Sequence, residues 1–188
     1  MRTVKFLCAL ARGPQVISST FIEKVLEDGK IPEVEDFILK DKDAEKRFSF
    51  KLAQAVARAK ANRGRLLSGI PVYCSDSIRN GAESYRSVAE ANGALFKVYR
   101  ARSGTTIKPT TKEEDGGRPP EPVYLLSGTS NEEKQMWPRF RDMALKGNME
   151  PRIVTPDWLL DNAMSQQVRF DDKFLVTEAY PDFVAKKS

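Results

Sequence analysis

The chain has 188 residues, 40% of them apolar, and carries 31 Lys and Arg against 26 Asp and Glu, which is enough apolar content to build one large domain or two small ones. Its net charge of +5 and pI near 9.2 suit acidic partners, but a charge this modest fits a phosphopeptide, nucleic acid or simply good solubility equally. Histidine is absent, which removes Ser-His-Asp and Cys-His catalysis, histidine metal sites and the commonest general base. No glycine-rich phosphate loop or calcium-loop pattern occurs, and the acidic clusters at 113–115 and 171–172 lie in polar, turn-like contexts. The chain therefore reads as non-enzymatic, with no cofactor or metal. No apolar run approaches the ~20 residues of a membrane span, and the start lacks a signal-peptide h-region. Cys8 and Cys74 have no C-x-x-C spacing and sit among apolar residues, as buried thiols of a reducing compartment do.

Taken in chain order, Leu7, Leu10 and Ala11 recur at helical spacing and Gly13-Pro14 supplies a stop. This predicts a short, largely buried helix. Its first turn carries Arg2 and Lys5, where the helix dipole and free N–H groups are already positive, so the two are either exposed cations tolerated at a fraying terminus or matched by a negative partner. A short strand is expected over 16–17, an N-cap at 18–19, a helix opened by Phe21, and an extended tail at 37–39. Residues 44–65 read as one linker helix with Phe48, Leu52, Ala55, Val56 and Ala59 on a single face. Arg58, Lys60, Arg63 and Arg65 near its end read as cations complementing the dipole, with nucleic-acid contact as the alternative. Strands are then expected at "GIPVYCSDS", "ALFKVYRA" and "PVYLLSG", with an amphipathic helix over "GAESYRSVAEANG" between the first two. Residues 103–122, rich in Thr, Gly, Pro and charge, read as a mobile surface loop. Ser130 and Glu133 have capping-box spacing ahead of the helix "QMWPRFRDMALKG".

A shift of 137 residues lays the segment from Gln15 over the segment from Arg152 without a gap. Val16-Ile17 meets Ile153-Val154, Phe21-Ile22 meets Trp158-Leu159, and Phe37-Ile38-Leu39 meets Phe174-Leu175-Val176. The alternation of strands and helices before the second copy builds a parallel sheet covered on both faces. The first copy has no such strands ahead of its helix, so residues 1–40 are expected to be poorly covered and some ~50 residues are expected before Met1.

These residues carry a family resemblance. "PRIVTPDWLLDN", with its helix opened by Trp158, followed by "VRFDDKFLV", resembles the C-terminal signature of a BRCT repeat. "RTVKFLCALARG", "VISSTFIEKVLEDGKI" and "DFILKDKDAEKRFSFKLAQAV" resemble the second half of the first repeat and the linker of a tandem BRCT pair of the DNA-damage checkpoint mediator or genome-stability scaffold type. Phe21 stands where the family usually has Trp, and the 103–122 insertion is long. The resemblance implies an α/β fold of tandem BRCT repeats, each a small parallel sheet flanked by helices, the first incomplete. Its parts would be residues 1–43 (first repeat), 44–65 (linker helix) and 66–188 (second repeat).

The resemblance also implies a function. Tandem BRCT pairs commonly bind phosphoserine or phosphothreonine peptides, the phosphate being held in the first repeat by a Ser/Thr hydroxyl, a glycine N–H and a lysine that Lys5 matches. Arg2 matches the arginine that, in phosphohistone-reading members, meets the backbone and terminal carboxylate downstream of the phosphoresidue. The Ser/Thr and Gly partners are expected ahead of Met1. A phosphate would supply a negative partner for that first turn. The implied role is a nuclear scaffold that joins a phosphorylated protein or histone tail to repair and checkpoint proteins, without a membrane. The alternative is a phosphate-independent protein-binding or DNA-end-binding BRCT module.

Overall fold

The computed structural model describes residues 2–100 and 107–180. Its centre is a four-stranded, wholly parallel sheet of β1 (Pro71–Ser75), β2 (Leu95–Tyr99), β3 (Glu121–Leu126) and β4 (Met149–Val154), ordered β2-β1-β3-β4. β3 and β4 run in register from Glu121 opposite Met149 to Leu126 opposite Val154. Successive strand residues point to opposite faces: Val72 and Cys74 join one core, Tyr73 the other.

The two faces are covered unequally. Helix α6 (Asn131–Lys146) covers one with Met136, Trp137, Phe140 and Met143. Helices α5 (Ala82–Ala91) and α7 (Asp157–Ser165) cover the other, and α1 (Val4–Leu10) and α4 (Leu52–Asn62) join the same core from outside. Residues 1–40 were expected to be poorly covered, and for α1 this is corrected: Leu7, Leu10 and Ala11 are no more than 1% exposed. The apolar face of α1 is met by α5 and α7 of the second repeat, a long-range contact that local pattern does not reveal. Cys8, half-buried on α1, and Cys74, buried in β1, are both free thiols. Burial pushes both up, Cys74 to about 12.

The repeat seen at a shift of 137 recurs as a hydrogen-bond pattern. Ser18 N–H donates to the Phe37 carbonyl and Thr155 N–H to that of Phe174, each at 2.8 Å. Leu39 N–H reaches the Val16 carbonyl at 2.9 Å, and Val176 N–H that of Ile153 at 3.1 Å. Ile17 bridges Ile38 and Val154 bridges Leu175, both antiparallel. The helix of the first copy, α2 (Thr20–Asp28), ends on left-handed Gly29, and α7 ends on left-handed Gln166 at the matching position. The strand expected over 16–17 is reduced to that single bridge, because among the described residues no parallel strand lies beside it.

The expected linker helix is two helices, α3 (Lys42–Arg47) and α4. Ser49 takes a positive φ of 50°. Glu45 reaches across the break to accept the Leu52 N–H at 2.9 Å, which holds its carboxyl below the usual range and caps the new helix. Of the expected loop, residues 103–106 lie outside the described residues. Residues 107–120 fold back on the end of α6, where Thr110 N–H donates to the Lys146 carbonyl at 2.9 Å. β3 begins at Glu121, inside the expected loop.

Candidate functional site

The first helical turn begins later than the pattern predicts. Thr3 is the N-cap of α1 and accepts the Phe6 N–H at 3.2 Å, so Arg2 stands outside the helix and only Lys5 remains in its first turn. Moving one cation off the turn removes part of the dipole conflict, a term of about 0.3–1 kcal/mol. The negative partner of Arg2 comes from the second repeat. Its guanidinium pairs with Asp157 and lies 3.3 Å from Asp161, two carboxylates four residues apart in α7 and thus on one face. The Phe48 ring lies beneath it, 5.6 Å from ring centre to guanidinium carbon. Asp161 is pushed above the usual carboxylate range by burial, while Arg2 pulls it back. Arg2 Nε is buried and unpaired.

Beside this pair opens a groove of about 350 Å3 between the start of α1, the break at Phe48-Ser49 and the first turns of α7. Asp157 and Asp161 line it together with Arg2, and Arg47 and Lys173 add positive charge. Lys5 does not line it. Its side chain is exposed, with no hydrogen bond or ion pair among the described residues. The structure therefore brings Arg2 to the seam between the repeats and leaves Lys5 on open surface one turn further along.

The second repeat offers a Ser-Gly turn at Ser127-Gly128, already filled from within. Buried Glu133 accepts the Gly128 N–H at 2.6 Å, the Ser130 N–H at 3.1 Å and the Ser130 hydroxyl at 2.8 Å. Ser130 in turn accepts the Glu133 N–H, which completes the capping box. A carboxylate occupying those donors repels a second anion. Trp137 spends its Nε1–H on the Ser127 hydroxyl at 2.9 Å, and Trp158, fully buried, stacks on Tyr124 at 3.8 Å. Both are core residues. No trio of metal-ligating side chains occurs among the described residues.

Asp157 and Asp161 were not singled out from sequence, and Phe48 was read only as an apolar residue on the face of the linker helix. The i, i+4 spacing of the two acids in "PDWLLDN" marks a paired face, but nothing local shows that its partner stands 155 residues away.

Comparison with known proteins follows the same lines. The model of the Regulator of Ty1 transposition protein 107 BRCT domain matches residues 1–39. BRCT-containing protein 1 of Schizosaccharomyces pombe is 28% identical over 178 residues, covering 92% of this chain and 19% of the relative. The human mediator of DNA damage checkpoint protein 1 is 35% identical over 102 residues, 54% of this chain and 5% of that protein. The chain thus spans about a fifth of the yeast relative and a twentieth of the human one. Among solved structures, the BRCT5-BRCT6 domains of S. pombe Brc1 superpose with a TM-score of 0.67 at 23% identity, covering 92% of this chain and 79% of that one. A complex of Rtt107p with a phosphorylated histone gives 0.62 at 19% identity, covering 94% and 72%.

Proposed function

We propose that this chain, whose fold is that of tandem BRCT repeats with the first incomplete, is a non-enzymatic, phosphopeptide-binding scaffold module of the DNA-damage response. In this reading it works in the nucleus and takes a phosphoserine or phosphothreonine segment, such as a phosphorylated histone tail. Lys5 meets the phosphate, and Arg2 meets the backbone or terminal carboxylate downstream. The observation that carries the reading is the place of Arg2: a guanidinium with an unspent, buried Nε at the seam between the repeats, beside a groove of about 350 Å3. The exposed and unpaired Lys5 one turn away fits it, and the related fold of Rtt107p has been solved with a phosphorylated histone.

Asp157 and Asp161 set the chemistry of the downstream end. They hold Arg2 in place, and they make the groove hostile to a free carboxylate that does not reach the guanidinium directly. Calorimetric titration with a phosphoserine peptide, its unphosphorylated twin and its C-terminal amide tests the assignment. The phosphopeptide should bind more tightly than its twin, and Lys5→Met should remove about 1.5–3 kcal/mol of that preference, the scale of a hydrogen bond to a charged group. Amidation should weaken binding by a similar amount through Arg2. Equal binding of the phosphorylated and unphosphorylated peptides by the folded chain overturns the reading.

A further inference from the structure

The charge of the chain is not spread evenly. Residues 1–22 and 46–75 contain ten Lys and Arg and no Asp or Glu, whereas the remainder carries 21 cations against 26 acids. Such asymmetry marks a polyanion-binding face when the fold gathers the cations together. Here it does, where the ends of α1, α4 and α5 converge. A Cβ added to Gly13 would lie 2.9 Å from Lys60 Cα, one added to Gly64 would lie 3.9 Å from the Ala11 carbonyl oxygen, and one added to Gly93 would lie 3.2 Å from Arg65 Cα. Arg12, Lys60, Arg63 and Arg65 therefore share one corner. All four are exposed and none makes an ion pair among the described residues.

Cations at helix C-termini are ordinarily read as dipole complements, and magnitudes decide against that here. Three helix ends contribute at most about −1.5 charges, less for a helix as short as α1, against four positive side chains. Several end carbonyls are also already satisfied. Ala9 and Leu10 accept the Arg12 and Gly13 N–H groups, and Ala59 and Asn62 accept those of Arg63 and Arg65. Arg63 moreover holds a left-handed φ of 51°, where Gly or Asn is the easier residue. The nearby acid Glu90 is engaged by Arg86 at 3.4 Å.

We propose that this corner docks the sugar-phosphate backbone of duplex DNA, independently of sequence and of the groove beside Arg2. Phosphates fit better than an acidic protein because the four side chains at the corner are all exposed cations with no acid paired to them, and no exposed large apolar side chain falls within 9–14 or 58–68, the exposed Leu95 and Ile38 lying at its flanks. A duplex presents one charge per ~1.7 Å of axis and asks for cations alone.

Anisotropy titration of the full chain with a labelled mixed-sequence 20-base-pair duplex tests this. With four phosphates neutralised, log K against log salt should fall with a slope of about −3.6. Combining Arg12→Gln, Lys60→Gln, Arg63→Asn and Arg65→Gln should weaken binding at least tenfold at low salt and flatten the slope by about 3, with unfolding by circular dichroism confirming the fold. Lys60→Glu alone, at an exposed site, should weaken binding severalfold. Lys108→Gln with Lys112→Gln, which removes charge from the opposite side of the sheet, should leave binding within twofold. Equal losses in that control, no loss in the corner variants, or displacement of the duplex by polyglutamate at matched charge overturns the proposal. Because Lys5 and Arg2 are intact in every variant, phosphopeptide binding stands or falls separately.

Discussion

Residues 15–39 and 152–176 share a hydrogen-bond pattern pair by pair, down to the left-handed residue that ends each helix. Their surroundings differ. Leu159 and Ala163 of α7 are fully buried, while the matching Ile22 and Leu26 of α2 are 62% and 79% exposed. Phe21 packs edge-on against Phe37 at 5.4 Å, a contact within its own copy, whereas the matching Trp158 stacks on Tyr124 of a neighbouring strand. Caps, helix length and turn geometry follow the local residues. Burial follows what is stacked on them, and most helical stability in proteins comes from that packing rather than from propensity.

The widest gap between the copies should appear in native-state hydrogen exchange. Amides of α7, and of α1 through its buried Leu7 and Leu10, should open only with global unfolding, on the order of 5–15 kcal/mol, while those of α2 open at about 1 kcal/mol or less. Protection of α2 equal to that of α7 would break the comparison. Substituting the matched aromatics comes next. Trp158→Ala should cost about 4 kcal/mol in denaturant unfolding, since it empties a fully buried site and removes one of the two donors to the Arg169 carbonyl, the other being the Asn162 amide at 3.0 Å, and Phe21→Ala about 1 kcal/mol.

A smaller effect tests the seam through which α1 reaches the second repeat. Asp161 has a folded pKa raised by burial and held back by Arg2. Arg2→Gln should raise it further, so that the folded state resists the ionised form more strongly. A raised acid destabilises above its unfolded pKa, not below it. The cost of Arg2→Gln should therefore be about 1–2 kcal/mol at pH 7 and shrink toward pH 4, as Asp161 takes its proton. A cost independent of pH would place the Arg2 contribution in packing on Phe48 instead. At the bottom of the scale, Leu26→Glu should shift global stability by under about 0.5 kcal/mol, a value that thermal melting bounds directly.

The sequence made several of these features legible. The 137-residue repeat, the alternation that builds the parallel sheet, the Ser130-Glu133 box and the burial of Trp158 all rest on local residue type and spacing. The break at Ser49 did not show, because apolar period continues through Phe48, Leu52 and Ala55 while the break depends on a positive φ and on Glu45 capping across it. The cover of α1 was missed for another reason: the faces that meet it belong to α5 and α7, some 75 to 160 residues away. Arg2 illustrates both limits. Its charge was legible as a problem on the first turn, but its answer, Asp157 with Asp161, is tertiary.

The two thiols turn this arrangement into a clock. Cys74 is sealed within β1, and Cys8 sits half-covered on α1, with burial keeping both protonated. A thiol must be uncovered and ionised before an alkylating reagent can take it. Uncovering Cys74 means parting the sheet; uncovering Cys8 means only lifting α1 from the seam. The ratio of the two alkylation rates in one native sample, each scaled to the unfolded chain, thus reports how tightly the repeats are docked apart from how firmly the sheet holds.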